Sequence, residues 1–167
     1  ERKDQEKRAE DQQEDLITLM VEKLGEYINI FEDNQFDNLV LAAKCTDAAR
    51  CIVLNRAISE RYDYPIHMGV THSGTIQTGA IRSAAAVGAL LAEGIGDTVR
   101  ISLAGDPVEE VHTAWEILNS LNLRDRTKPE LIACPTCGRV EVDLFEMVEK
   151  VKTAIADIDY PVKIAVM

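Results

Sequence analysis

The chain has 167 residues, 46% hydrophobic and 28% charged, with 29 acidic against 18 basic side chains and a net charge of −11. That length buries a core as one domain or one and a part, and no run of about 18 apolar residues is present to span a membrane as a helix. The acidic balance, with a pI near 4.7, argues against a nucleic-acid partner, because phosphate-backbone binding rests on a basic footprint.

Residues 1–15 carry seven acids, four bases and no large apolar residue, the opposite of a signal peptide, so a cytosolic home is expected. This stretch reads as a solvated helix face. Ile17, Met20, Val21 and Leu24 then fall at i, i+3, i+4 and i+7, which predicts a buried helical stripe, with Gly25 at a C-cap position. Leu39 to Ala43 is a short apolar run suited to a strand covered on both faces. Thr46 or Asp47 can cap the following helix, whose Cys51, Leu54 and Ile58 have inward spacing.

The unit repeats twice. Pro65 to Val70 is a predicted strand and Thr71 to Gly74 its loop. Thr78 opens a helix through Ile81, Ala84, Ala85, Gly88 and Leu91, closed by Gly94. Thr98 to Leu103 is the third strand. Asp106-Pro107-Val108-Glu109 is a helix start with an acidic cap and proline at the first helical position. Val111, Ala114, Trp115, Leu118 and Leu121 form the expected buried stripe, with Trp115 as a core anchor and His112 on the surface. Three strand-loop-helix units joined by short loops demand parallel pairing, in either a barrel or a doubly wound sheet. No G-x-G-x-x-G follows a strand and no Walker-type loop is present.

Residues 122–130 form a polar linker, so a boundary is placed near residue 127. Beyond it come a short strand (Leu131-Ile132-Ala133), an amphipathic helix marked by Phe145, Val148, Val151 and Ile155, and a strand at 162–166. The chain begins at Glu1 inside a helix-forming run and stops at Met167 directly after a strand, which reads as cut at both ends.

In folds of this kind, function collects where strands end at their C-terminal side. Those positions are Lys44-Cys45-Thr46-Asp47, Thr71-His72-Ser73-Gly74 and Arg100-Ile101-Ser102. Lys44 ends an apolar strand, where an ammonium is costly unless an anion meets it; the bland alternative is a lysine snorkelling past the strand end. Arg100 alternates with Val99 and Ile101 and so points to a barrel interior. Lys44, Arg100 and Ser102 together sketch an anion site.

Four cysteines in a cytosolic chain read as metal or redox chemistry before disulfides. Cys45 and Cys51 have the wrong spacing for a knuckle and read as core or incidental residues. Ala133-Cys134-Pro135-Thr136-Cys137-Gly138-Arg139 is a C-x-x-C knuckle, two soft ligands that make half a site. Three readings stay open on chemistry alone: half a zinc ribbon, a dithiol redox pair, or an iron-sulfur ligand pair awaiting ligands from later in the chain.

From about Phe36 to Met167 the chain resembles the 4-hydroxy-3-methylbut-2-enyl diphosphate synthase family, the iron-sulfur reductases of the non-mevalonate isoprenoid pathway. The resemblance is carried by Lys44-Cys45-Thr46-Asp47, His67-Met68-Gly69-Val70-Thr71, the run from Leu91 to Leu103, Asp106-Pro107-Val108-Glu109-Glu110, and the knuckle. It implies an α/β chain: residues 1–127 as the last strand-helix units of a TIM-type barrel, and 128–167 as the start of a smaller α/β domain holding a [4Fe-4S] cluster. By resemblance Cys134 and Cys137 match two of three cysteine ligands, with the remaining ligands expected beyond Met167, and Lys44, Thr71, Arg100 and Ser102 match substrate-binding positions.

The implied reaction is the reductive ring opening of 2-C-methyl-erythritol 2,4-cyclodiphosphate, with ferredoxin or flavodoxin as electron donor. A homodimer is implied, in a bacterial cytoplasm or a plastid. In the family's common pattern a glutamate proposed for proton transfer follows the threonine; here that position is His72, which also donates protons near neutral pH. The expectation is an enzyme fragment, inactive by itself. The competing readings are a zinc-knuckle interaction module and a pteroate-synthase-like barrel without a cluster.

Overall fold

The computed structural model describes residues 2–135 and 142–167, with side chains from residue 15 onward. The chain divides into two compact units, Glu1–Leu123 and Arg124–Met167. The helix predicted to stop at Gly25 runs on as α1 (Arg2–Asp33), with Ile17, Val21 and Ile28 buried. Gly25 is there for space: a Cβ would strike the Tyr62 hydroxyl, which donates to the Val21 carbonyl at 2.9 Å. The left-handed residue that ends the helix is Gln35, at φ 62°.

Three parallel segments follow. Residues 41–45 pair with the next segment through bridges from Leu41 to Ile66 and from Cys45 to Val70. β1 (His67–Met68) pairs in parallel with β2 (Thr98–Val99), His67 opposite Thr98 and Met68 opposite Val99. The connections are α2 (Ala48–Arg61) and α3 (Ile76–Ala92), and α4 (Pro107–Ser120) follows β2. Asp47 caps α2 by accepting the Arg50 amide at 2.7 Å, and Asp106 caps α4 by accepting that of Val108 at 2.9 Å.

Consecutive segments are neighbours, and α1 packs on α2, α2 on α3 and α3 on α4. Crossovers of one hand that step in one direction stack their helices on one face of the sheet, which is the wall of a barrel rather than a doubly wound sheet. The core lies between wall and helices: Leu41, Ile66, Met68, Ile101 and Leu103 against Leu54, Ile58, Val87, Leu90 and Ile117.

Several helical stripes differ from the sequence reading. The first segment is buried on one side only, since Leu41 is in the core while Val40 is exposed. In α3 the strands are met by Gly79, Ser83, Ala86, Val87 and Leu90, and Ile81 is 65% exposed. Small residues select that face because approach is close: a Cβ on Gly79 would lie 2.6 Å from Leu103 Cδ2. The helix starts at Ile76, two residues before Thr78. In α4 the buried residue is Ile117; Val111 is exposed and Trp115, expected as an anchor, is 46% exposed. Trp115 and Val111 border a cleft of about 270 Å³ with Val99 and Ile101, on the side of β2 that has no strand partner among the described residues.

The second unit is a strand-helix-strand crossover. β3 (Glu130–Ala133) and β4 (Lys163–Val166) pair in parallel from Glu130–Lys163 to Ala133–Val166, joined through α5 (Leu144–Ala154). Leu144 and Val166 are buried. Phe145, expected on the inward stripe, is 74% exposed; its neighbour Leu144 takes the buried position instead. No helix among the described residues is long and apolar enough to cross a membrane.

Candidate functional site

The alternation that sends Leu41, Met68 and Ile101 to the helices sends every second residue to the other face of the wall. The observed pairing gives two levels there, Ala42, His67 and Thr98, then Lys44, Gly69 and Arg100; Thr46, Thr71 and Ser102 follow on the same face by alternation, before the pairing shifts by two residues at the Thr75–Ala104 bridge. Of the residues singled out in the sequence, Lys44, Thr71, Arg100 and Ser102 share this face.

Lys44 is half-buried and its Nζ donates to the His67 carbonyl at 3.3 Å. Burial, and then the charge of Arg100, pull its pKa below the ordinary lysine value. The two cations therefore sense one another across Gly69. That glycine is required: a Cβ would run into the Arg100 carbonyl oxygen, and the Arg100 amide is tied to the Met68 carbonyl at 2.9 Å. Among the described residues neither Lys44 nor Arg100 has a carboxylate within ion-pair distance. Two neighbouring cations with no described carboxylate beside them are an arrangement that an external anion could complete.

The loop above them is fixed from below. The Thr71 amide donates to the Cys45 carbonyl at 2.9 Å. Ser73 is fully buried; its hydroxyl donates to the Ser102 carbonyl, and its own carbonyl accepts Arg82 Nη1 at 3.1 Å. Between these anchors His72 is exposed, in left-handed backbone at φ 51°. Backbone of that kind in a non-glycine residue costs on the order of 1 kcal/mol and collects at functional loops.

The sequence reading passed over His67 as a site residue. Its Nδ1 lies 2.7 Å from Thr98 Oγ1. Burial, then Lys44, then Arg100 lower its pKa from 6.5, which favours the neutral imidazole. The available signal was its period-two spacing from Gly69 and Thr71.

Cys51 is fully buried and its thiol lies 3.7 Å from the Gly69 carbonyl. Burial pushes the thiols of both Cys45 and Cys51 up, which keeps them protonated and inert. Cys134 differs. It is an exposed free thiol leaving the C-terminal end of β3, with its amide fixed on the Val166 carbonyl at 3.0 Å. That presentation fits a thiolate ligand; its partner Cys137 lies outside the described residues. Among the described residues no three histidine, cysteine or acidic side chains gather as a metal site.

The GcpE TIM-barrel domain model matches residues 3–115, and the model of the GcpE protein C-terminal domain matches residues 130–167. Curated relatives named 4-hydroxy-3-methylbut-2-en-1-yl diphosphate synthase (flavodoxin) align over 148 residues, 89% of this chain. The protein of Lawsonia intracellularis is 47% identical, with 41% of its length covered. That of Nitratidesulfovibrio vulgaris is 46% identical with 38% covered, and that of Bacillus subtilis 43% with 39% covered. The chain thus spans about two fifths of the length of the relatives it matches. With its α/β architecture and a barrel-domain match over two thirds of its residues, the chain belongs to the GcpE family.

Proposed function

We propose that this chain is part of a 4-hydroxy-3-methylbut-2-enyl diphosphate synthase that opens the ring of 2-C-methyl-erythritol 2,4-cyclodiphosphate. The observation that carries the reading is the cation pair Lys44 and Arg100, uncompensated by any described carboxylate, on the inner face of a wall whose sequence matches that enzyme's barrel domain. The substrate is a dianion. Lys44 and Arg100 bind its diphosphate, and Thr71 and Ser102 border the pocket above them.

The net change takes up two electrons and two protons, breaks the carbon–oxygen bond to the ring phosphate, and releases a carbon-bound hydroxyl as water. Cys134 and Cys137 would hold a [4Fe-4S] cluster together with ligands from elsewhere in the protein. When bound, that group supplies electrons one at a time to the substrate. Flavodoxin, named with the relatives, or ferredoxin is the donor class. His72 delivers the proton to the departing hydroxyl: it is a histidine exposed on an anchored loop at the strand ends. In this reading the first unit contributes barrel and the second begins the cluster domain, in a homodimer.

The test uses the intact protein, reconstituted anaerobically with iron and sulfide and supplied with reduced flavodoxin. Conversion of the cyclodiphosphate is expected, together with loss of iron, sulfide and turnover in Cys134→Ser. Stoichiometric zinc without sulfide, or full turnover in Cys134→Ser, would overturn the reading. Intact turnover in His72→Ala would remove the proton-donor role alone.

A further inference from the structure

His67 occupies the level just beneath the two cations. Lys44 Nζ reaches back to the His67 carbonyl at 3.3 Å, and Thr98 holds Nδ1 from the neighbouring strand at 2.7 Å. That leaves Nε2 as the uncommitted ring nitrogen. Gly69, which has no room for a side chain, keeps the space between His67, Lys44 and Arg100 clear. The charged groups acting on the imidazole are Lys44 from the 41–45 segment and Arg100 from the segment continuing β2. The acid next to Thr98, Asp97, is turned away and accepts the Ile66 amide at 2.8 Å.

We propose that His67 is the floor of the diphosphate pocket, and that its imidazole takes up a proton when the diphosphate binds, Nε2–H then donating to the anion. This rests on the reading of Lys44 and Arg100 as the diphosphate site. With the pocket empty, two cations and partial burial disfavour a third positive charge. A dianion arriving between the cations offsets the charges that disfavour the imidazolium, and among the ionisable groups there a histidine is the one whose ordinary pKa lies closest to neutrality. The proton comes from solvent. Binding and protonation are then linked: binding the anion raises the proton affinity of His67, and protonated His67 binds the anion more tightly.

The cyclodiphosphate is a clean probe, because each phosphorus carries one carbon ester and the shared anhydride oxygen, leaving a single strongly acidic group that exchanges no proton near neutral pH. Titration calorimetry of the intact protein at pH 7, repeated in buffers of different ionisation enthalpy, reads the protons bound per site. Uptake approaching about one proton is expected. In His67→Asn the uptake should vanish, and affinity should fall more at pH 6.5 than at pH 8.5. A second measurement needs no substitution at the site. Site-specific ¹⁵N labelling distinguishes the His67 imidazole from the other histidines of the intact protein, and its signals should move to the protonated position on saturation. Binding without proton uptake, uptake unchanged in His67→Asn, or ¹⁵N signals that stay neutral at saturation would overturn this proposal and leave the diphosphate site standing. Failure of the cyclodiphosphate to bind at all would overturn both.

Discussion

Gly69→Ala and Gly88→Ala are the same chemical change, and the structure assigns them opposite signs. At position 69 the new methyl group meets the Arg100 carbonyl oxygen, with the Arg100 carbonyl carbon at 3.3 Å and its Cβ at 3.5 Å. The obstacle is backbone, and it is pinned by the Arg100 amide bond to Met68, so no side chain can swing aside. Overpacking against an unyielding neighbour costs about 1–3 kcal/mol, and the pinned backbone puts this case in the upper half. For a chain of this size that is a fall in Tm of roughly 4–12 °C. At position 88, within α3, nothing lies within 4 Å of the added carbon, and Gly to Ala in a helix gains about 0.5–1 kcal/mol. Thermal unfolding followed by far-ultraviolet circular dichroism reads both. Equal Tm values for the two variants would refute the strand approach at Gly69. So would a Gly69→Ala protein of unchanged stability that binds the cyclodiphosphate normally.

Lys44→Gln and Arg100→Gln should each weaken cyclodiphosphate binding by roughly ten- to a hundredfold, the worth of one hydrogen bond to a charged group at about 1.5–3 kcal/mol, with the loss shrinking in high salt; calorimetric affinities unchanged in both would remove the anion site. Stability should also depend on pH through His67. Its folded pKa lies below 6.5, so the unfolded chain binds the proton more readily, and stability rises with pH through the window from the folded value up to about 6.5. Denaturant melts across pH 5 to 7.5 should show that slope, reduced in His67→Asn; an identical slope in the variant would contradict it.

The strand-loop-helix repeat was legible because caps are local. Asp47 and Asp106 accept the amides that their side chains can reach within one turn, and no tertiary information is needed to see that. Arg100 was legible for a similar reason, as a charge set by alternation among apolar neighbours. The helical faces were not. Periodicity gives the width of a stripe but not which of two adjacent stripes meets the sheet, and in α3 that was decided by how near Leu103 comes to Gly79. Large residues such as Ile81 and Trp115 drew the reading towards themselves, whereas close approach favoured small ones. Gly25 misled because one residue type serves two ends: a left-handed turn, or a gap into which Tyr62 fits. His67 was overlooked because its partner Thr98 is 31 residues away, a distance no local pattern spans.

The buried hydroxyl of Ser73 on the Ser102 carbonyl has a mechanical consequence. His72 is one residue from one end of that bond, and the Ser102 side chain springs from the other. The loop is therefore no free flap. To lift His72 away, the protein must either break a buried bond or drag the Ser102 backbone along with it. A shift of the Ser102 backbone is thereby passed on to His72, so the two positions move as one piece.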